Sequence, residues 1–295
     1  METAFLNPST LQEALLVANQ YQEKAAFING GTDLAIEISQ KRKCPEIIIH
    51  LGNIQELSEI EVRDKTVVVG GAVTFRQMQE SLYCRRYRGL MGAIRQLGSP
   101  AIRSVATPAG NAATAAASAD CNTMLLALGA SLKLENARES RIISMESFFV
   151  SKNLTVLMPD EIITEIHLPV MEHRTGSGYS RLARRKAQDI GKVLVGAVVR
   201  LEADLCAEAS ISLGALNPTP VKAVSLEKTL AGKTKEAALK ALKEHLPEEA
   251  KLRESYFKTY KETVIGTVIH RAVEMAWLDA EEECRNETSA LYTER

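Results

Sequence analysis

Along the first 170 residues the apolar positions switch between a period of two and a period near three and a half, the signature of short strands alternating with helices. Leu11, Ala14, Leu15 and Ala18 recur at helical spacing behind the turn Asn7-Pro8-Ser9-Thr10, which predicts a capped helix over 11–21. Ala25-Ala26-Phe27-Ile28 and Glu46-Ile47-Ile48-Ile49-His50-Leu51 are short apolar runs of strand type. With a helix-like segment starting near Leu34 between them, residues 1–50 read as βαβ. Ile60-Glu61-Val62 and Thr66-Val67-Val68-Val69-Gly70-Gly71 predict two strands with Asp64-Lys65 near the turn, and Val73-Thr74 caps the next helix. Residues 89–104 read as helical and basic, with an end near Gly98-Ser99-Pro100, 112–119 as an alanine-rich run of small residues, and 122–130 as an apolar helix. Strands are expected at 131–135 and 162–168.

The pattern changes at 171–178, where His, Arg, Thr and two Gly suggest a linker. Beyond it, 193–201 and 209–216 are strand candidates, and from about Leu226 the chain is mostly helical and charged. The stretch 233–251 reads as an exposed helical face. There is no internal repeat. The predicted fold class is α+β, in two parts with a boundary near 172.

Composition narrows the function classes more than the fold. The 295 residues are 45 % apolar and 25 % charged, ordinary values for a globular protein that folds without metal or disulfide staples. A net charge of −1, from 36 basic and 37 acidic residues, argues against a nucleic-acid or membrane-surface role. No apolar run reaches the roughly 18 residues of a membrane span, and Met-Glu-Thr-Ala-Phe-Leu-Asn-Pro-Ser-Thr does not resemble a signal peptide. The five cysteines form no CxxC pair, and His50, His167, His173, His245 and His270 lack ligand spacing. We therefore expect no metal or iron–sulfur site in this chain, and a reducing, cytoplasmic setting.

Two stretches carry candidate chemistry. Gly30-Gly31-Thr32-Asp33 follows a strand and precedes a helix, so its glycines can turn tightly and present successive N–H groups to an anion. An ordinary βα turn capped by Thr or Asp is the alternative. Neither GxGxxG nor a Walker lysine motif is present. The second stretch is Arg103-Ser104-Val105-Ala106-Thr107-Pro108-Ala109-Gly110-Asn111, followed by Thr114 and Asp120. Its small residues allow close approach to an extended ligand, and Asp120 offers acceptors to sugar-like hydroxyls. The alternative is a helix–sheet packing site with Asp120 capping the helix that begins at Cys121. Arg85-Arg86-Tyr87-Arg88 is read as a solvated helix end rather than a docking patch.

Taken together the two stretches resemble the flavin loops of the FAD domain of molybdenum hydroxylases, the family of xanthine and carbon monoxide dehydrogenases. The resemblance continues through Met124-Leu125-Leu126-Ala127-Leu128-Gly129-Ala130 and Glu161-Ile162-Ile163-Thr164-Glu165-Ile166-His167-Leu168-Pro169. It extends to Arg184-Arg185-Lys186-Ala187-Gln188-Asp189-Ile190-Gly191-Lys192-Val193, Leu252-Arg253-Glu254-Ser255 and His270-Arg271-Ala272, so it covers nearly the whole chain in family order. It implies an FAD-binding domain over 1–171, with subdomains of about 1–52 and 53–171. A C-terminal domain over 172–287 would combine a small antiparallel sheet with helices, ahead of a tail at 288–295. It further implies that Ile28, Asn29, Gly30, Gly31, Thr32, Asp33, Leu34 and Ala35 surround the FAD pyrophosphate. Thr107, Pro108, Ala109, Gly110 and Asn111 would form the second loop, with Thr114 at a phosphate and Asp120 at the ribityl chain. Leu97 and Ile163 would make apolar contacts, and Arg181 would stand near the flavin ring.

The function so implied is electron relay. Electrons pass from a molybdopterin-binding large subunit through a [2Fe–2S] small subunit to this FAD, and on to NAD⁺ or another acceptor. No side chain is expected to act as an acid–base catalyst. Pro108 and Ala109 stand where the family has Ile or Val and then Gly. Proline removes a donor, and alanine is strained if the position needs a positive φ, an expected loss of about 1–3 kcal/mol of affinity. A flavin-poor structural subunit and a stand-alone flavin reductase of peptidoglycan-precursor type are the rival readings.

Overall fold

The computed structural model describes residues 3–185, 188–244, 247–252 and 258–283. Lys186-Ala187, His245, Arg253-Glu254-Ser255 and the tail at 288–295 lie outside the described residues. In chain order the elements open with β1 (Ala4–Leu6), α1 (Leu11–Tyr21), β2 (Ala25–Ile28), α2 (Leu34–Ser39) and β3 (Ile47–His50). Then come β4 (Ile60–Arg63), β5 (Thr66–Gly70), α3 (Phe75–Glu80), α4 (Arg88–Gln96), α5 (Pro100–Arg103), α6 (Pro108–Thr114) and α7 (Asp120–Ala127). β6 (Ser131–Glu135), β7 (Ser140–Ser144), α8 (Met145–Phe148), β8 (Phe149–Ser151), β9 (Leu154–Thr155) and β10 (Ile162–Pro169) follow. The chain ends with β11 (Thr175–Leu182), β12 (Val193–Glu202), β13 (Leu205–Gly214), β14 (Val221–Lys222), α9 (Val224–Leu230), α10 (Lys235–Glu244) and α11 (Lys258–Glu283). The α+β class expected from the pattern is the class observed.

Two compact units emerge. One comprises Met1–Cys84, Gly98–Ala116 and Ala130–Pro169; the other comprises Arg85–Leu97, Ala117–Gly129 and Val170–Arg295.

In the first unit, β1, β3 and β2 pair in parallel in the order β1-β3-β2. Helix α1 starts where Thr10 accepts the Glu13 N–H and buries Ala14, Leu15 and Ala18, the stripe its spacing predicts. Those residues meet Ile49, Leu51 and Leu57 in one apolar cluster. A five-stranded antiparallel sheet, ordered β4-β5-β10-β6-β7, completes the unit's framework. Its period of two puts Val67, Val69, Leu132, Leu134, Ile166 and Leu168 on a buried face. Lys133, Glu135, Glu165 and His167 project between them, with Lys133 Nζ 3.1 Å from Glu135 and His167 Nε2 2.5 Å from Glu165. Hydrogen bonds from Arg63 and His167 hold the Glu165 carboxyl below its ordinary range, against the opposing effect of burial.

In the second unit, β11, β12, β13 and β14 form an antiparallel meander. Val195, Val199, Ile211 and Leu213 pack there with Val273 and Trp277 of α11. Helix α7 is buried along its whole length, its polar Asp120, Asn122 and Thr123 included. The segment 171–178, predicted to be a linker, contains the start of β11. Its glycines are what hide the strand from a propensity reading. A Cβ on Gly176 would lie 2.1 Å from Ala276 O, and one on Gly178 would lie 2.1 Å from Ala272 O, because α11 rests directly on the β11 backbone. The basic cluster at 85–88 is likewise corrected. Tyr87 is fully buried, and Arg86 and Arg88 both pair with the buried Asp279 carboxylate, at 3.6 and 3.1 Å. That arrangement is an internal clamp and not a solvated helix end. The helix end expected near Gly98-Ser99-Pro100 is where α4 stops: Gly98 takes φ +49°, and Ser99 then caps α5 with Pro100 in its first turn.

Candidate functional site

The loop between β2 and α2 leaves the carboxyl end of a parallel strand, the edge at which such sheets commonly hold ligands. Among the described residues no acceptor takes the peptide N–H of Gly30, Gly31, Thr32, Asp33 or Leu34. The next one, that of Ala35, is donated to Gly31 O at 3.0 Å. Five consecutive donors therefore stand available, followed by the positive end of α2. Two glycines make this shape. Gly31 has φ +66°, in the left-handed region. Gly30 lies so close to the backbone of residue 105 that a Cβ would sit 2.2 Å from Val105 O. Asn29, at the loop's start, donates from Nδ2 to Gly71 O at 3.2 Å, and Gly71 in turn lies against the Ile163 backbone. The first unit thus brings Ile28–Ala35, Thr107–Thr114 and Ile163 into one neighbourhood.

The second stretch behaves differently. Thr107 is an N-cap, and residues 108–114 form a short helix. Pro108 occupies a first-turn position, where a proline removes an N–H that has no intrahelical partner anyway. Ala109 is helical, is buried, and is absent from the residues of positive φ, so the strain expected there does not exist. The Gly110 N–H goes to Thr107 Oγ1 at 3.0 Å and the Asn111 N–H to Thr107 O at 3.0 Å. Most of the donors at this helix start are thereby consumed inside the protein. The Thr114 hydroxyl, expected at a phosphate, lies 3.0 Å from Gly110 O and 3.2 Å from Asp33 Oδ2. Its single proton is shared between those acceptors and links the two loops.

Leu97, Asp120 and Arg181 belong to the second unit. Leu97 ends α4 and is half-buried. Asp120 opens α7 from the first turn and makes no capping bond; Ala119 is the N-cap, so the capping alternative is not the arrangement observed. Instead, Asp120 Oδ1 accepts from the Tyr179 hydroxyl at 2.6 Å and from Arg181 Nη1 at 2.9 Å. Burial pushes the Asp120 carboxyl up, while those two donors pull it down. Burial, followed by the neighbouring Asp120 charge, holds the Tyr179 phenol protonated well above its ordinary range. Arg181 Nη2 is buried and has no hydrogen-bond partner among the described residues. Tyr179 is the residue that sequence reasoning misses. The available signal is its place two positions before Arg181 in β11, which sets both side chains on one face.

Among the described residues, no group of three His, Cys, Asp or Glu side chains is placed to hold a metal ion. No helix there is long and apolar enough to cross a membrane.

Comparison with known proteins identifies the family. The model of the FAD binding domain in molybdopterin dehydrogenase matches residues 1–171, and that of the CO dehydrogenase flavoprotein C-terminal domain matches 179–276. The nicotinate dehydrogenase FAD-subunit of Eubacterium barkeri is 32 % identical over 273 residues, covering 89 % of this chain and 92 % of that protein. The xanthine dehydrogenase FAD-binding subunit of Escherichia coli O157:H7 is 31 % identical over 225 residues, covering 75 % of this chain and 76 % of that one. In fold, the chain superimposes on the carbon monoxide dehydrogenase of Hydrogenophaga pseudoflava with a TM-score of 0.86 at 24 % identity, over 95 % of this chain and 98 % of the other. This chain belongs to the family of FAD-binding subunits of the molybdenum hydroxylases.

Proposed function

We propose that the chain is the flavin-carrying electron relay of a molybdenum hydroxylase complex. A molybdopterin-binding subunit takes electrons from the substrate, a [2Fe–2S] subunit delivers them here, and they leave to NAD⁺ or another acceptor. The single observation that carries this reading is the row of acceptor-free N–H groups from Gly30 to Leu34. A dinucleotide pyrophosphate is a doubly charged array of oxygen acceptors, and such a row complements it without a cationic side chain.

The donor set fits FAD at several further points. The Thr32 hydroxyl extends the row of donors. The backbone of 107–111, Leu97 and Ile163 are the proposed close-packing contacts, following the family resemblance. Asp120 keeps Oδ2 for a ribityl hydroxyl, since both of its described side-chain partners bind Oδ1. Arg181 is the proposed cation for the flavin ring. When bound, FAD supplies the redox chemistry, while the protein contributes orientation and electrostatics. The free Cys44, Cys84, Cys121 and Cys206 suit a reducing cytoplasm. A flavin-poor role is opposed by the intact donor row.

The test uses the full chain, alone and co-expressed with molybdopterin-binding and [2Fe–2S] subunits. Alone, it should take up FAD stoichiometrically, seen as flavin absorbance, and should oxidise neither nicotinate nor xanthine. Co-expressed, it should purify in one complex with both subunits. Failure to bind FAD, or turnover by the chain alone, would sink the relay reading.

A further inference from the structure

The Asp120–Arg181 pair has an unusual geometry for a buried carboxylate and guanidinium. The Arg181 side chain is only 2 % exposed, and such pairs favour the two-point fork in which both oxygens meet both nitrogens. Here a single contact forms, from Nη1 to Oδ1, and the Tyr179 hydroxyl shares that same oxygen. Nη2 is left buried with no acceptor among the described residues. A buried donor in that condition is costly, and it implies an acceptor supplied from outside the chain. The guanidinium is planar, so fixing Nη1 on Asp120 also fixes the direction of Nη2.

Tyr179 explains why the fork does not close. Its hydroxyl is held protonated by its surroundings and keeps donating to Oδ1, which limits how far the guanidinium can turn onto the carboxylate. Tyr179 is itself 2 % exposed and belongs to a paired strand, opposite Gly196 of β12, so its aim is set by the sheet. We propose that Tyr179 is a positioning residue of the flavin site: by occupying Asp120 Oδ1 it keeps the Asp120–Arg181 pair singly bonded and leaves Arg181 Nη2 to donate to an oxygen acceptor of bound FAD. The inference rests on the reading that Arg181 belongs to the flavin site. A fixed cationic donor at a flavin oxygen favours the electron-rich reduced form over the oxidised one. Tyr179 therefore acts on affinity and on potential through Arg181, without touching the cofactor.

The experiment is a double-mutant cycle on the full chain, comparing wild type, Tyr179→Phe, Arg181→Met and the double variant. FAD affinity is read by titration calorimetry and the midpoint potential of the bound FAD by spectroelectrochemistry. Tyr179→Phe should let the fork close, raise the FAD Kd about tenfold and move the potential to a more negative value. Arg181→Met should do the same, and adding Tyr179→Phe to it should change nothing further. Wild-type Kd and potential in Tyr179→Phe would overturn the proposal, as would full additivity in the double variant. A lowered melting temperature of the FAD-free chain with unchanged Kd and potential would also overturn it, since that is the result of packing alone. Should Tyr179→Phe fail to fold, Arg181→Met carries the test, and an unchanged Kd there refutes the inference. If the wild type takes up no FAD, the flavin reading itself falls together with this one; an effect missing only in the variants sinks the positioning role alone.

Discussion

The two loops of the first unit share a vocabulary of Gly, Thr and Asn, yet they treat their backbone donors in opposite ways. Between β2 and α2 the chain turns through a left-handed glycine, and the N–H groups of five successive residues meet no acceptor among the described residues. From Thr107 onward the chain enters a helix at once, and the Thr107 hydroxyl and carbonyl take up the donors of Gly110 and Asn111. The first loop is an open cradle and the second is a capped helix packed beneath it. Glycine content alone does not distinguish them. What distinguishes them is whether an acceptor three or four residues back claims the N–H first. The first pattern suits the anion-binding role proposed for it, whereas the second suits a wall that supports the cradle.

The sharpest way to break this contrast is Gly30→Ala. The added Cβ would lie 2.2 Å from Val105 O and 2.4 Å from the carbon bonded to it, and neither backbone atom can move aside cheaply. Separating the two loops should cost about 3 kcal/mol of stability, and FAD uptake should fall with it because the donor row loses its support. Chemical denaturation of the FAD-free chain, followed by FAD titration, reads both effects. A variant of wild-type stability and affinity would show that the loops are free to part, which ends the supporting-wall account.

How much of this was open to a reader of the sequence depends on the range of the contacts involved. Helix α1 and strands β2 and β3 are legible because a local cap and a local period specify them: Thr10 caps, and Ala14, Leu15 and Ala18 line up. The donor row is legible as a possibility, since Gly30-Gly31 can form only a few kinds of turn. Strand β11 is not, because Gly176 and Gly178 have their side chains removed to admit α11, about 100 residues further along the chain. A linker and a strand made for close packing use the same residues. Asp120 shows the same limit. Local rules suggest a cap, but a tyrosine 59 residues away and an arginine 61 residues away claim the carboxylate. Ala109 fails in the other direction. Comparison with a glycine suggests strain, whereas the helical φ that Pro108 starts makes alanine comfortable there.

A smaller effect tests the second loop's own account. Thr107→Ala removes the oxygen that accepts the Gly110 N–H, and loss of such a cap typically costs about 1 kcal/mol. Thr107→Ser keeps the oxygen and should recover most of it. If Thr107 served FAD directly and not the helix, the pattern would invert: stability of the FAD-free chain would hold while Kd rose. Thermal melts with and without FAD separate these outcomes.

The smallest expected effects concern Ala109 and Gly110, and their signs are what matter. Both lie in helix α6, and both have φ outside the left-handed region. Alanine in place of glycine in a helix gains roughly 0.5–1 kcal/mol from reduced freedom of the unfolded chain. Against that, a Cβ on Gly110 would meet Thr107 Oγ1 at 3.1 Å, a contact that a slight rotation of the threonine can relieve at some loss to the cap. Gly110→Ala should therefore change stability by less than about 1 kcal/mol, in contrast to Gly30→Ala. Ala109→Gly runs the other way: it restores the residue type of the family loop, relieves no strain, and should destabilise the helix by roughly 0.5–1 kcal/mol without tightening FAD. Pro108→Ile returns an N–H at a position where a helix has no internal use for it, so any gain in FAD affinity from the pair of changes must come from residue 108 alone. Measuring the two substitutions separately decides the matter. A tighter FAD complex in Ala109→Gly would mean that the loop adopts a left-handed turn when FAD binds, and that the capped helix is only its resting form.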